Sequence, residues 1–186
     1  MTVRPGRAGD VDALLAIRAD PSVARWWGAP DPRDGTDAEL RGASDVALLV
    51  IEVASEVAGG IQYHEELDPM YRHAGIDIYL GARWQGRGLG AEAIRLVARF
   101  LFERRGHHRL IIDPAAANAR AIAAYANVGF RPVGVMRAYE RVGSNAAHPS
   151  ARGVSRRAIP SDPPSFVKNL PLTAGAPAAP SPPAIE

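Results

Sequence analysis

The 186-residue chain contains no cysteine, which excludes disulfide scaffolds, thiolate metal sites, thiol redox chemistry and any acyl-cysteine intermediate. Its only lysine is Lys168, so a phosphate loop ending in Gly-Lys-Ser/Thr has nothing to build on. The longest apolar run, Val46–Ile51, is far short of the roughly 20 residues that span a bilayer. The first thirty residues lack the apolar core of an export signal. The expectation is a cytoplasmic protein without a membrane segment. His73, His107 and His108 are not spaced as metal ligands, so no metal is expected, and His107-His108 reads as an exposed turn. There is no internal repeat.

Formal net charge is +2, from 22 Lys and Arg against 20 Asp and Glu. Residues 1–140 hold 17 basic and 18 acidic groups, and residues 141–186 hold 5 and 2. The positive excess therefore lies scattered in the end of the chain, which argues against a nucleic-acid-binding face. That end also carries 9 of the 16 prolines and only a few large apolar groups such as Phe166, Val167 and Leu170. Ordering costs about 1–2 kcal/mol per residue, more than so little apolar surface can offset. The expected organisation is one domain over residues 1–141 and a disordered Pro/Ala-rich tail over 142–186.

Within that domain Met1–Arg4 reads as a strand. Val11, Leu14, Leu15 and Ile17 then recur at helical spacing behind Asp10, a candidate N-cap, with Pro21 expected to end the helix. Short helices are expected around Val23–Trp27 and Asp37–Ala43. Val46–Val53 and Val57–His64, separated by Ala54-Ser55-Glu56, suit an antiparallel hairpin. Ala74–Leu80 reads as a strand with Ile76, Ile78 and Leu80 on one face and Asp77 and Tyr79 on the other. A helix over Gly88–Arg105, a strand over Arg109–Asp113, a helix over Asn118–Val128 and a strand over Phe130–Tyr139 follow. This succession predicts an α/β (α+β) chain with a mixed central sheet flanked by helices.

The most informative segment is Gln85-Gly86-Arg87-Gly88-Leu89-Gly90, which follows a strand and opens a helix. A glycine-rich turn at a helix N-terminus presents unpaired backbone N–H groups to an anion, and glycine lets the anion approach. The spacing does not fit a Rossmann fingerprint, and a packing turn without a ligand is the plain alternative. A second segment, Asn118-x-x-Ala121-x-x-x-Tyr125-x-x-x-Gly129-Phe130, places Asn118 and Tyr125 two helical turns apart on one face.

Together the two segments resemble the paired signatures of the GNAT superfamily of acyl-CoA-dependent N-acetyltransferases, over roughly residues 1–141. Trp26-Trp27-Gly28, Gly75-Ile76-Asp77 and Ile112-Asp113-Pro114 resemble the aminoglycoside 6'-N-acetyltransferases within it. The resemblance implies a GNAT fold in which strands Ala74–Leu80 and Arg109–Asp113 splay apart to admit an acyl-pantetheine arm. It implies that the backbone of Ile78, Tyr79 and Leu80 holds the pantetheine. The segment Gln85, Gly86, Arg87, Gly88, Leu89, Gly90 and Ala91 would hold the diphosphate, with Asn118, Ala121 and Tyr125 also at the coenzyme. It further implies that Tyr125 protonates the departing thiolate; a buried packing tyrosine is the alternative.

Asp77 is the candidate base. Mid-strand burial raises a carboxylate's pKa and suits it to take a proton from an ammonium, whereas a structural hydrogen bond or ion pair is the competing reading. Trp26 and Trp27 are candidates to stack on a sugar ring, or to pack in the core, and Glu65 and Glu66 to attract a polycation. Asp113 is a candidate ammonium ligand or a turn carboxylate. The expected function is transfer of acetyl from acetyl-CoA to a primary amine of an aminoglycoside-like acceptor, an antibiotic-resistance activity. Lacking cysteine, the chain would work by direct attack in a ternary complex. The alternatives are acetylation of a protein N-terminus or lysine, and a degenerate acyl-CoA-binding module without catalysis. The expected partner is a small-molecule amine, with neither nucleic acid nor membrane, for a monomer or homodimer. After Arg141 the apolar strand that closes the sheet in the resembled enzymes is missing or altered, which leaves Phe130–Tyr139 with an open edge.

Overall fold

The computed structural model describes residues 1–28, 33–42, 44–136 and 165–169. In chain order these form strand β1 (Thr2–Pro5) and helices α1 (Val11–Ala19), α2 (Pro21–Trp27) and α3 (Arg33–Leu40), then strands β2 (Val46–Val53), β3 (Glu56–Glu66) and β4 (His73–Leu80). Helix α4 (Leu89–Glu103), strand β5 (Arg109–Ile112), helix α5 (Ala119–Val128), strand β6 (Arg131–Gly134) and strand β7 (Ser165–Asn169) complete it. No described helix is long and apolar enough to cross a membrane.

The strands form one mixed sheet in the order β1-β2-β3-β4-β5-β7-β6. β1 to β4 are antiparallel neighbours, and β4 and β5 run parallel. The β2–β3 hairpin turns at Ala54 and Ser55, whose φ values of 51° and 63° give the mirror-type turn that matches strand twist.

Strand alternation decides what each face of β4 does. Ala74, Ile76, Ile78 and Leu80 pack into the larger core with Ala93, Ile94, Val97, Phe100 and Leu101 of α4. Tyr79 points the other way, into a smaller cluster with Leu14, Val23, Leu48 and Val50 beneath α1 and α2. Burying each such side chain contributes about 1.5–3 kcal/mol, so β4 is pinned from both sides. Asp77, between Ile76 and Ile78, belongs to the α1/α2 face.

Three expectations need correction. Pro21 does not terminate α1, which stops at Ala19; it is the first residue of α2. There its missing N–H is no loss, and the Asp20 carboxylate accepts from the Ser22 N–H at 2.8 Å. Asp10 does not cap α1 with its side chain. Its carboxylate instead accepts from Arg4 Nη1 and Nη2 at 2.8 and 2.9 Å and from the Arg7 N–H at 2.7 Å. The third concerns the missing last strand. Ser165–Asn169 fills that place, antiparallel to β5 on one side and to β6 on the other. The segment is short and framed by prolines, so composition conceals it, but Phe166-Val167 suits a strand and two neighbours supply its pairing. β6 is nonetheless the sheet edge, with Val133 65% exposed. Residues 137–139 of the expected strand, Ala43 and the tail residues around Arg152, Arg156 and Arg157 lie outside the described residues.

The Arg4–Asp10 pair ties β1 to the entry of α1, and both side chains are 9% exposed. The hydrogen bond from Arg4 outweighs burial and holds the Asp10 carboxyl below its ordinary value of 3.8. Replacing one partner of a buried pair costs about 3–5 kcal/mol, and Glu52, which also accepts from Arg4 at 2.7 Å, moderates that. Asp10→Asn is therefore expected to lower urea stability at neutral pH by about 2–3 kcal/mol. Because the folded carboxyl stays ionised below its unfolded value, the deficit should shrink as pH falls from about 4 downward. A pH-independent deficit, or none, contradicts this role.

Candidate active site

The glycine turn takes the form expected of an anion cradle. Gly86 and Gly88 have φ of 76° and 80°, a left-handed conformation that favours glycine. Gly88 is the N-cap of α4 and has no side chain to offer its N–H groups. Among the described residues, the first N–H after Gln85 with a partner inside the protein is that of Glu92, which donates to the Gly88 carbonyl. The intervening amides, through Ala91, lie at the positive end of a 15-residue helix. Arg83 and Arg87 stack on the ring of buried Trp84 at 4.8 and 5.3 Å, beside the turn. These residues fit a coenzyme diphosphate.

The strand next to that turn also fits. β4 pairs with β5 only at Ala74↔Leu110 and Gly75↔Ile111. Among the described residues no strand lies beside that edge of β4 from Ile76 to Leu80, so backbone groups of Ile78, Tyr79 and Leu80 border the opening. Gly90 lies across from them. A Cβ there would sit 3.5 Å from Leu80 Cδ1 and 3.9 Å from Ile78 Cδ1, ordinary contact distances, so glycine is not demanded by the protein's own packing at this position. Gln85 fastens the end of β4: its Nε2 donates to the Leu80 carbonyl at 2.8 Å and to Ser22 Oγ at 3.3 Å. Its Oε1 accepts from Arg120 at 2.7 Å. The Gln85 side chain therefore shapes the turn from within the protein.

Asp77 lies on the α1/α2 face of β4, and Tyr125 lies on the other face of the sheet. Burial raises the Asp77 carboxyl above its ordinary value, opposed by a 3.4 Å hydrogen bond from Gln62 Nε2 and by the nearby His64. Tyr125, on α5, is buried in the larger core. Burial, with the negative charges of Asp77 and Asp113 adding to it, pushes its phenol well above the ordinary value. Asp113 directly follows β5, where that strand parts from β4.

The remaining candidates divide. Asn118 is the N-cap of α5, its Oδ1 accepting from the Ala121 N–H at 3.1 Å, and Ala121 packs against the larger core. Trp27 meets Tyr79 edge-on at 4.8 Å and lies under the Arg18 guanidinium at 4.7 Å. Trp26 is half-buried with Arg25 stacked on it at 5.0 Å. Glu66 is exposed and accepts from the Asp68 N–H at 2.9 Å.

Glu65 is committed inside the protein, which corrects its assignment to the acceptor. Arg105 Nε and Nη2 donate to its two oxygens at 3.0 and 2.6 Å, and His107 Nε2 donates at 2.5 Å. Burial alone would raise this carboxyl, but those donors outweigh it and hold it at about 2. His107 is fully buried, not an exposed turn: it follows the left-handed Gly106, which turns the chain inward after α4. Gln62 and His64 went unnoticed in the sequence. The signal was there, since a Gln and a His interrupt the apolar run of β3 two residues apart and so share a face.

A family description, "Acetyltransferase (GNAT) domain", matches residues 1–131. The chain belongs to the GNAT acetyltransferase family. The family reaction, transfer of acetyl from acetyl-CoA to an amine, is the chemistry of this enzyme, and the cradle and parted strands fit that coenzyme. A kanamycin resistance protein of Rhizobium radiobacter is 36% identical over 78 residues, covering 41% of this chain and 70% of that protein. An aminoglycoside acetyltransferase AAC(6')-Ib in complex with coenzyme A superposes with a TM-score of 0.66 at 22% identity, over 90% of this chain and 94% of that one. Spermidine N-acetyltransferase from Vibrio cholerae, in complex with CoA and spermine, gives 0.70 at 17% identity over 90% and 94%. At these identities the two structural likenesses establish the fold.

Two outcomes follow for the GNAT chain. Gly88→Asp sets a carboxylate among the amides and should weaken CoA binding at least tenfold by calorimetry, about 1.4 kcal/mol or more, while circular dichroism stays native. Unchanged affinity removes the cradle from coenzyme binding. Glu65→Gln should destabilise the fold by about 3 kcal/mol near neutrality, with turnover per folded molecule unchanged. The wild-type advantage is complete above the ordinary carboxylate value of 4.5 and disappears as pH falls toward about 2. A large loss of turnover in the still-folded variant would return Glu65 to the acceptor site.

Proposed function

We propose that this enzyme acetylates a primary amine of an aminoglycoside-like, polycationic acceptor by direct attack in a ternary complex. The chemistry is supported by one pairing: a half-buried carboxylate with raised pKa, Asp77, and a buried phenol, Tyr125, whose pKa the Asp77 charge raises, on opposite faces of a sheet whose strands β4 and β5 part after Gly75. The 36% identity to a kanamycin resistance protein supports the acceptor class.

In this reading the amides from Arg87 to Ala91 bind the diphosphate, and the free edge at Ile78–Leu80 orients the pantetheine. Acetyl-CoA supplies the activated acyl group. Asp77, on the α1/α2 face, takes a proton from the acceptor ammonium, because only the neutral amine is a nucleophile. Its raised pKa makes it a better match for that proton than an exposed carboxylate would be. Tyr125 stays protonated because burial and the two nearby carboxylates disfavour phenolate, so it holds a proton for the departing sulfur. Trp26 and Asp113 line the acceptor side, and the catalytic parts all lie within residues 1–141. The acceptor amine attacks directly because no cysteine exists to carry the acetyl group.

The test follows thiol release from acetyl-CoA with kanamycin as acceptor. Asp77→Asn should lower kcat at least tenfold, within the roughly 10²–10⁴-fold range for acid–base groups, and Tyr125→Phe about tenfold. Turnover of Asp77→Asn equal to wild type removes the base from this mechanism.

A further inference from the structure

The face of the sheet that carries Asp77 holds a second titratable group that the mechanism above leaves unused. In the β3–β4 ladder Gly60 pairs with Tyr79, Gln62 with Asp77 and His64 with Gly75. All six residues share the α1/α2 face, three rungs in a row. The outer rungs each combine a ring with a glycine, and in both the ring lies across the glycine. A Cβ on Gly75 would stand 2.0 Å from His64 Cε1, and one on Gly60 would stand 2.6 Å from Tyr79 Oη. The Gln62–Asp77 pair is therefore bracketed by two rings, each held over its neighbour strand because that strand has no side chain there.

The two brackets differ in their access to water. Tyr79 is buried, meets Trp27 edge-on at 4.8 Å and lies under the Arg18 guanidinium at 5.5 Å, which seals that end. His64 is exposed. Asp77 must return to carboxylate in every turnover, and burial resists that return, so a route for its proton is a chemical requirement. Gly75 and Asp77 are two residues apart on one strand, roughly 6.6 Å, and the charge of a ring over Gly75 acts on the Asp77 carboxyl, a separation that a bridging water can span.

We propose that His64, held over Gly75, passes to solvent the proton that Asp77 removes from the acceptor. The proposal rests on the acetyltransferase reading with Asp77 as base. An N–H bond of the acceptor ammonium breaks as an O–H bond forms on Asp77. That O–H bond then breaks as its proton passes to a bridging water, which gives up one of its own protons as an N–H bond forms on the unprotonated ring nitrogen of His64, and solvent water takes the proton from the ring. Nothing is oxidised or reduced. His64 acts through Asp77 and touches neither acetyl-CoA nor the acceptor, which makes it a positioning residue. Besides Gln62, the groups facing the pair are Tyr79 on this face and Tyr125 and Asp113 at the gap.

The experiment uses the full chain with acetyl-CoA and kanamycin, comparing His64→Gln, His64→Ala and Asp77→Asn with wild type. Both His64 variants are expected to lose kcat about tenfold, with KM for acetyl-CoA unchanged. Free imidazole should restore much of the loss in His64→Ala, whereas the same ionic strength of sodium chloride should not. In an Asp77→Asn background, His64→Gln should have no further effect, the coupling expected of two members of one path. If the His64 variants keep wild-type kcat, or their loss is not restored by imidazole, the relay is wrong while Asp77 stands as base. If Asp77→Asn itself keeps wild-type turnover, the underlying base assignment fails and takes the relay with it.

Discussion

The separation of β4 from β5 after two paired residues is the constraint on which the site depends. Two parallel strands that remained in register would satisfy each other's backbone groups and close the sheet. Here each strand keeps a partner on its other side, β3 for one and β7 for the other. The sheet survives the local loss of pairing because both halves are anchored independently. The opening joins the two faces, so a group arriving through it meets Tyr125 from the α4/α5 side and Asp77 from the α1/α2 side. A single-faced pocket could not bring a phenol and a carboxylate together in that opposed way.

Two carboxylates on neighbouring strands show how burial acquires different meanings. Glu65 and Asp77 both lose water. Glu65 meets an arginine and a histidine that donate to it, and it stays ionised down to about 2. Asp77 meets a neutral glutamine at 3.4 Å and rises instead. The difference is the charge and number of donors, and it separates a carboxylate held ionised from one whose proton affinity is raised.

The glycine turn and the strand and helix around it were readable because their signals are local: glycine where φ must be positive, apolar spacing that changes from period two to helical. Asp77 stood out as a charge inside an alternating apolar strand. What went unread depended on distance along the chain. Glu65 looks like any exposed acid until Arg105 and His107 are brought to it, 40 and 42 residues later. Gln62 and His64 acquire meaning only through the β3–β4 register. Gln85 stood out through its motif alone, and the ties of its side chain to Leu80, Ser22 and Arg120 appear only once the chain is folded. Ser165–Asn169 was masked by prolines on both flanks, since local composition cannot report a strand whose stability comes from two neighbours.

The position of β7 also bears on how the molecule is made. Among the described residues β6 pairs with β7 alone, so the outer part of the sheet has nothing to join until residue 169 has been synthesised. The glycine turn, Asp77 and Tyr125 emerge from the ribosome well before that. Chains fold from the N-terminus as they are made, so β1 to β4 can pair first, while β5 and β6 wait for the strand that lies between them, added from about thirty residues downstream.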